Sequence, residues 1–190
     1  GTLSSTATVP ASVGGGMKLT GTYSGPLNGA GYTYLSHGAF STDYDTYLVI
    51  MNGTMTSGSS TMAYLDMRLS KSNGTASNNS YWSVVYGADK DGGAYGLSKS
   101  NQSTAVLISA IDQINPWSAQ FYVYKPATSN ETWFSGVCSH FRSGGSHYCI
   151  EQSFTAFHST NYSATGLALS WSNVIFTSTL NAKFYGITTT

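Results

Sequence analysis

Hydrophobic positions in this chain come in short runs broken by turn-formers, and no window keeps helical spacing for three turns. The clearest run is Tyr64-Leu65-Asp66-Met67-Arg68-Leu69, with Leu65, Met67 and Leu69 on one side and Tyr64, Asp66 and Arg68 on the other. That period of two is the strand period. Phe121 and Val123 alternate with Tyr122 and Tyr124 in the same way. Three further runs, Tyr47 to Met51, Ala105 to Ile111 and Val174 to Phe176, are apolar on both sides, which predicts central strands covered on both faces.

Between these runs lie Asn52-Gly53, Asn73-Gly74, Asp91-Gly92-Gly93, Asn115-Pro116, Lys125-Pro126 and Ser143-Gly144-Gly145, all turn-forming. About ten short strands spaced by such turns predict an all-β fold, an antiparallel two-sheet β-sandwich of jelly-roll type. One domain over residues 17–190 is expected, because chains of this length and type form a single core. Residues 1–16, rich in Thr, Ser, Ala and Gly, read as an extended N-terminal arm or linker. The chain begins at Gly1 rather than Met and shows no signal peptide, as a processed product or a fragment of a longer protein would.

Charge changes this picture sharply. Only 8% of the chain is charged and the formal net charge is zero, whereas soluble domains average about 25% charged residues. Hydroxyls, amides, glycines and 14 tyrosines must therefore cover the surface. Such a surface suits contact with other neutral, hydroxyl-rich surfaces such as glycans. No cluster of Lys and Arg supplies a phosphate-binding footprint, which argues against nucleic acid. The apolar runs are far too short for a helical membrane span.

Cys138 and Cys149 flank Ser143-Gly144. A hairpin turning there sets Cys138 opposite Cys149 and His140 opposite His147, all on one ribbon face, with Val137 and Ile150 on the other. This predicts a Cys138–Cys149 disulfide on the outward face, worth about 2.5 to 3 kcal/mol in the chain-entropy model. It would imply an oxidising setting at some stage. The histidines then read as surface residues; a zinc site fails on ligand spacing and on the flatness of the ribbon face, and no metal or other cofactor is expected.

Other candidate chemistry is sparse. Asp43 and Asp45, and Asp89 and Asp91, read as turn-initiating aspartates rather than calcium ligands. Glu131 and Glu151 are the only glutamates, with nothing to single them out as a glycosidase pair. No G-x-S-x-G elbow occurs, so the expectation is a protein that is not an enzyme. Trp82, Tyr86, Trp117 and Tyr148 are the candidate ligand-binding residues, able to stack on sugar rings while Asn, Ser and Asp bond hydroxyls. Sequons at Asn52, Asn73, Asn78, Asn101, Asn130 and Asn161 are only a little more than this composition gives by chance and point weakly to eukaryotic secretion.

Several framework stretches carry a resemblance. They are Leu35-Ser36-His37-Gly38-Ala39-Phe40 followed by Tyr44 to Ile50, Leu65 to Ser70, Ala119 to Pro126, and Ser172 to Ser178 leading to Phe184-Tyr185-Gly186-Ile187. Taken in order, they resemble a β-sandwich domain of virion and tail-associated proteins of tailed bacteriophages. That resemblance implies a non-enzymatic module on the virion exterior, assembled as a homotrimer with other virion proteins. Its role would be host attachment as part of a tail fibre or receptor-binding protein, through host-surface glycans and without membrane insertion. The alternative it implies is a capsid decoration (cement) protein whose arm threads along neighbouring subunits.

Overall fold

The computed structural model describes residues 16–28, 31–57, 63–74, 77, 80–88, 94–111, 116–128, 130–144, 146–172 and 177–188. Twelve strands account for its regular structure: β1 (Met17–Asn28), β2 (Thr33–Leu35), β3 (Thr46–Ser57), β4 (Ala63–Ser70), β5 (Tyr81–Ala88), β6 (Ala94–Gln102), β7 (Ala105–Ile111), β8 (Pro116–Tyr124), β9 (Thr132–Gly144), β10 (Ser146–His158), β11 (Gly166–Ser172) and β12 (Thr177–Ile187). No helix occurs among the described residues. Of the predicted arm, residues 1–15 lie outside the described residues, as do Val174 to Phe176. Gly16 pairs with Thr188 beside the end of β12.

The strands form two antiparallel sheets. The larger runs β1-β12-β3-β8-β9-β10-β5-β6 and the smaller β2-β11-β4-β7. One core lies between them. Val49, Met51, Phe121, Phe134, Phe154 and Phe184 enter it from the large sheet, and Leu65, Met67, Leu69, Leu167 and Leu169 from the small one. The alternation in residues 64–69 and 121–124 thus orients its strands as expected.

Strand β7 is apolar on both sides for a different reason from the one expected. It is an edge strand of the small sheet, and its free backbone groups are capped by side chains of the large sheet. Val106 N–H donates to Ser83 Oγ at 3.2 Å. Ser109 N–H donates to Gln152 Oε1 at 3.0 Å, and Gln152 Nε2 returns a bond to the Ser109 carbonyl at 2.7 Å. An open edge would otherwise expose unpaired donors and acceptors. Here the cap also tethers one sheet to the other.

The β9–β10 hairpin departs from the predicted register. Gly144 pairs with Ser146, Cys138 stands opposite Gln152 and Cys149 stands opposite Phe141. An odd shift of three positions swaps the face of one strand relative to the other. Cys138 therefore points into the core and Cys149 out to solvent, both as free thiols. The predicted disulfide does not form. His140 pairs with Ile150 and His147 with Ser143, so the two histidines are not opposed either. His140 is buried rather than a surface residue, and Val137 is exposed rather than in the core. The His147 side chain lies outside the described residues.

Candidate functional site

The outward face of the large sheet carries the molecule's most distinctive surface. Strand register sets Tyr124 of β8 opposite Trp133 of β9, Trp133 opposite Phe157 of β10, and Phe157 opposite Trp82 of β5. Four aromatic rings thus cross four neighbouring strands in one row. Trp133 and Phe157 have ring centroids 4.4 Å apart, Phe157 and Trp82 5.8 Å. Tyr122 stacks beside Tyr124 at 6.2 Å, one step along β8. Next to the row stand Val84 and Tyr86 of β5 and Val137 of β9, all exposed.

Strict alternation puts these rings outside. Strand β8 is exposed at Pro116, Ser118, Gln120, Tyr122 and Tyr124 and buried at every residue between. Strand β5 follows the same rule, exposing Trp82, Val84, Tyr86 and Ala88. Among the described residues, every exposed large hydrophobic side chain except Met17 and Leu19 belongs to this face. Trp133 remains 48% exposed and Trp82 38%. Exposed large apolar side chains are thus concentrated on one sheet face rather than scattered singly.

Two shallow cavities adjoin the row and share Trp133. One, of about 390 Å³, is lined by Trp82, Val84, Ser98, Lys99, Trp133 and Phe157. The other, of about 500 Å³, lies past the strand ends and is lined by Tyr124, Lys125, Asn130, Glu131, Trp133 and Asn161. Further along the same face the surface turns polar. Ser24 Oγ donates to Asn181 Oδ1 at 2.8 Å, and Ser118 and Ser139 hydroxyls meet at 2.8 Å. Asn181, Ser118 and Ser139 border a cavity of about 380 Å³ together with Asn52. Rings at one end and hydroxyls and amides at the other give one face two complementary chemistries.

The sequence-predicted ligand residues divide unevenly. Trp82 and Tyr86 stand on this face, exposed. Trp117 does not: it is 2% exposed and packs edge-on against Trp171 at 6.3 Å between the sheets. Gly53 makes room for it, since a Cβ there would come within 2.7 Å of the Trp117 ring and strike the Thr179 carbonyl. Trp117 is therefore a core residue. Tyr148 lies in β10 opposite Arg142, and its side chain lies outside the described residues. Trp133, Phe157 and Tyr124 escaped the prediction. Their signal was a shared parity with exposed residues two positions away, Ser135 for Trp133, Thr155 for Phe157 and Tyr122 for Tyr124.

Two buried polar clusters hold the molecule's nearest approaches to reactive groups among the described residues. Ser77 Oγ lies 2.8 Å from His158 Nε2, which also meets Thr160 Oγ1 at 3.1 Å. A nucleophilic pair needs access and an acid on the other ring nitrogen. Both residues are buried, and His158 Nδ1 has no hydrogen-bond partner among the described residues. Burial also lowers the His158 pKa, so the ring is held neutral. Ser77 further meets Tyr81 Oη at 2.7 Å, and Tyr81 Oη accepts from the Leu69 N–H at 2.8 Å. The cluster ties a loop to the core.

The second cluster surrounds Gln152, fully buried. Its Nε2 donates to the Ser109 carbonyl and to His140 Nε2 at 3.0 Å, and Cys138 Sγ lies 3.5 Å from its Oε1. Accepting at Nε2 makes His140 a neutral ring protonated on Nδ1. Burial pushes the Cys138 thiol up to about 12, which makes it an inert thiol. Asp43 Oδ2 accepts from Ser41 Oγ at 3.1 Å, and the Asp45 carbonyl accepts from Lys125 N–H, both as turn contacts. Asp89 and Asp91 lie outside the described residues. Among the described residues no group of three or more His, Cys, Asp or Glu side chains converges.

Comparison with family models, with curated proteins and with solved structures found no match to this chain.

Proposed function

We propose that this chain is a non-enzymatic binding module that lays the outward face of its large sheet on a saccharide surface. The Tyr124–Trp133–Phe157–Trp82 row is the observation that carries this reading. A row of rings on a sheet face can stack against the apolar faces of sugar rings, and the amides and hydroxyls beside it can bond sugar hydroxyls. A face with few charges forms no strong field, which matches a neutral ligand. The framework stretches that resemble tailed-bacteriophage virion domains extend the proposal. In that setting the chain is a jelly-roll module of a tail fibre or receptor-binding protein, trimeric on the virion exterior and attaching to host glycans. A glycan array probed with wild type and with Trp82→Ala/Trp133→Ala tests it. Binding by wild type alone is expected; an array blank for both proteins overturns the attachment role.

A second reading rests on a separate observation. Met17 and Leu19 are 61% and 50% exposed on β1, an edge strand of the large sheet. An apolar edge strand adjoining residues 1–16 suits pairing with a neighbouring subunit, as a capsid decoration protein requires. Deleting residues 1–16 would then abolish incorporation into particles and leave saccharide binding intact. Incorporation without the arm overturns this reading.

A further inference from the structure

We infer that the cavity past Trp133, lined by Tyr124, Lys125, Asn130, Glu131 and Asn161, is a specific subsite for one neutral pyranose residue. The inference rests on the saccharide reading of the sheet face and names where that face recognises rather than merely adheres. Its volume of about 500 Å³ falls in the range of small-molecule sites. Trp133 lines this cavity and also the one beside Trp82, so a chain lying along the ring row runs directly into it.

The lining chemistry selects the ligand. Tyr124 and Trp133 supply ring faces, Glu131 supplies acceptors only, Lys125 donors only, and Asn130 and Asn161 supply both. Vicinal sugar hydroxyls, each a donor and an acceptor, match that set. One acid and one base leave no surplus charge to offset the desolvation of an anionic sugar. A neutral ring is therefore favoured over a uronic acid.

The residues at this cavity are held by bonds of their own. Lys125 has a positive φ of 55°, a left-handed conformation uncommon for a residue with a side chain. Its N–H donates to the Asp45 carbonyl at 2.6 Å, and its carbonyl accepts from Thr128 Oγ1 at 3.0 Å. Thr128 Oγ1 in turn accepts from Asn130 Nδ2 at 3.4 Å, which orients the Asn130 amide. Backbone held in a sparsely populated region concentrates at binding sites. These bonds fix the Lys125 backbone and orient the Asn130 amide before any ligand arrives.

Full-length protein from a non-glycosylating host, so that Asn130 and Asn161 stay unmodified, is titrated by ¹⁵N NMR. The probes are glucose, galactose, N-acetylglucosamine, galacturonic acid and soluble oligosaccharides of the neutral sugars. At least one neutral monosaccharide is expected to shift the Asn130 and Asn161 side-chain amides and the Trp133 indole, leaving the Trp82 indole unmoved. Glu131→Gln should weaken that response on the order of tenfold, the usual effect of losing a hydrogen bond to a charged group. Oligosaccharide shifts at Trp82 and Trp133 with silence at Asn130 and Asn161 overturn the subsite and leave the sheet-face reading standing. So does a full response in Glu131→Gln, or stronger binding of galacturonic acid. No response to any saccharide at any of these residues overturns both.

Discussion

Trp133 and Phe157 stand opposite each other on neighbouring strands of the large sheet, their rings 4.4 Å apart and Trp133 half exposed to solvent. Cross-strand aromatic pairs stabilise a sheet by a few tenths to about 1 kcal/mol. That gain alone does not account for a row of rings continued on both sides by Tyr124 and Trp82. An exposed apolar row costs solubility, a cost that a chain with only 8% charged residues offsets poorly. The row is therefore read as a contact surface.

The hairpin register makes a chemical prediction. Cys149 is exposed while Cys138 is buried with its thiol pKa raised. A thiol-reactive probe at pH 8 should label one cysteine in the native protein and two after denaturation. Mass spectrometry should place the native label on Cys149, and reducing agent should leave Tm unchanged. Native protein that takes no label until reduced would restore the Cys138–Cys149 bridge.

Gln152 satisfies both backbone groups of Ser109 and bonds His140. Gln152→Leu keeps the bulk but strands those partners in the core. The loss should be about 2 to 4 kcal/mol, the cost of burying several unpaired polar groups. Urea unfolding measures it. A change below about 0.5 kcal/mol would mean the β7 edge is held by other contacts.

Asp66 predicts a pH dependence. Burial raises its pKa from 3.8 to about 6, with Lys99, the Thr104 hydroxyl and Arg68 pulling the other way. The folded state thus holds a proton that the unfolded chain has already released. This group's stabilisation is full below about pH 4 and is lost as pH rises through 6, at most about 3 kcal/mol. Asp66→Asn should therefore match wild type near pH 4 and exceed it in Tm above pH 7. His158, whose pKa is lowered, acts in the opposite sense: its contribution is lost as pH falls below its ordinary 6.5. It is common to both proteins and cancels from the difference. Parallel Tm curves for the two proteins across pH 4 to 8 would contradict this account.

Much of the fold was legible because one face of each clear strand is apolar. Leu65, Met67 and Leu69 pack as their spacing required, and Phe121 and Val123 likewise. The β9–β10 register was not legible. Residues 133–141 carry large or apolar side chains at both parities, and Ser143-Gly144-Gly145-Ser146 offers several equivalent turn centres. What accompanies the observed register is distant in sequence: pairing of β9 with β8 and of β10 with β5, and Gln152 reaching Ser109. Trp117 was misread although it shares the parity of Phe121 and Val123, which turns it inward, and Gly53 leaves the space its ring fills. The ring row could not be read without that register, because its members come from three separate hairpin arms and β5.

Affinity electrophoresis of wild type and Trp82→Ala/Trp133→Ala in gels containing neutral polysaccharides tests the central claim most directly. Both side chains are partly exposed but pack on Phe157, so the double variant should stay folded with a Tm lowered by several degrees. Wild type should be retarded by at least one polysaccharide, and the folded double variant should lose more than tenfold in affinity, as removal of central aromatic anchors does. Equal retardation of the two proteins would show that the ring row is not the binding surface.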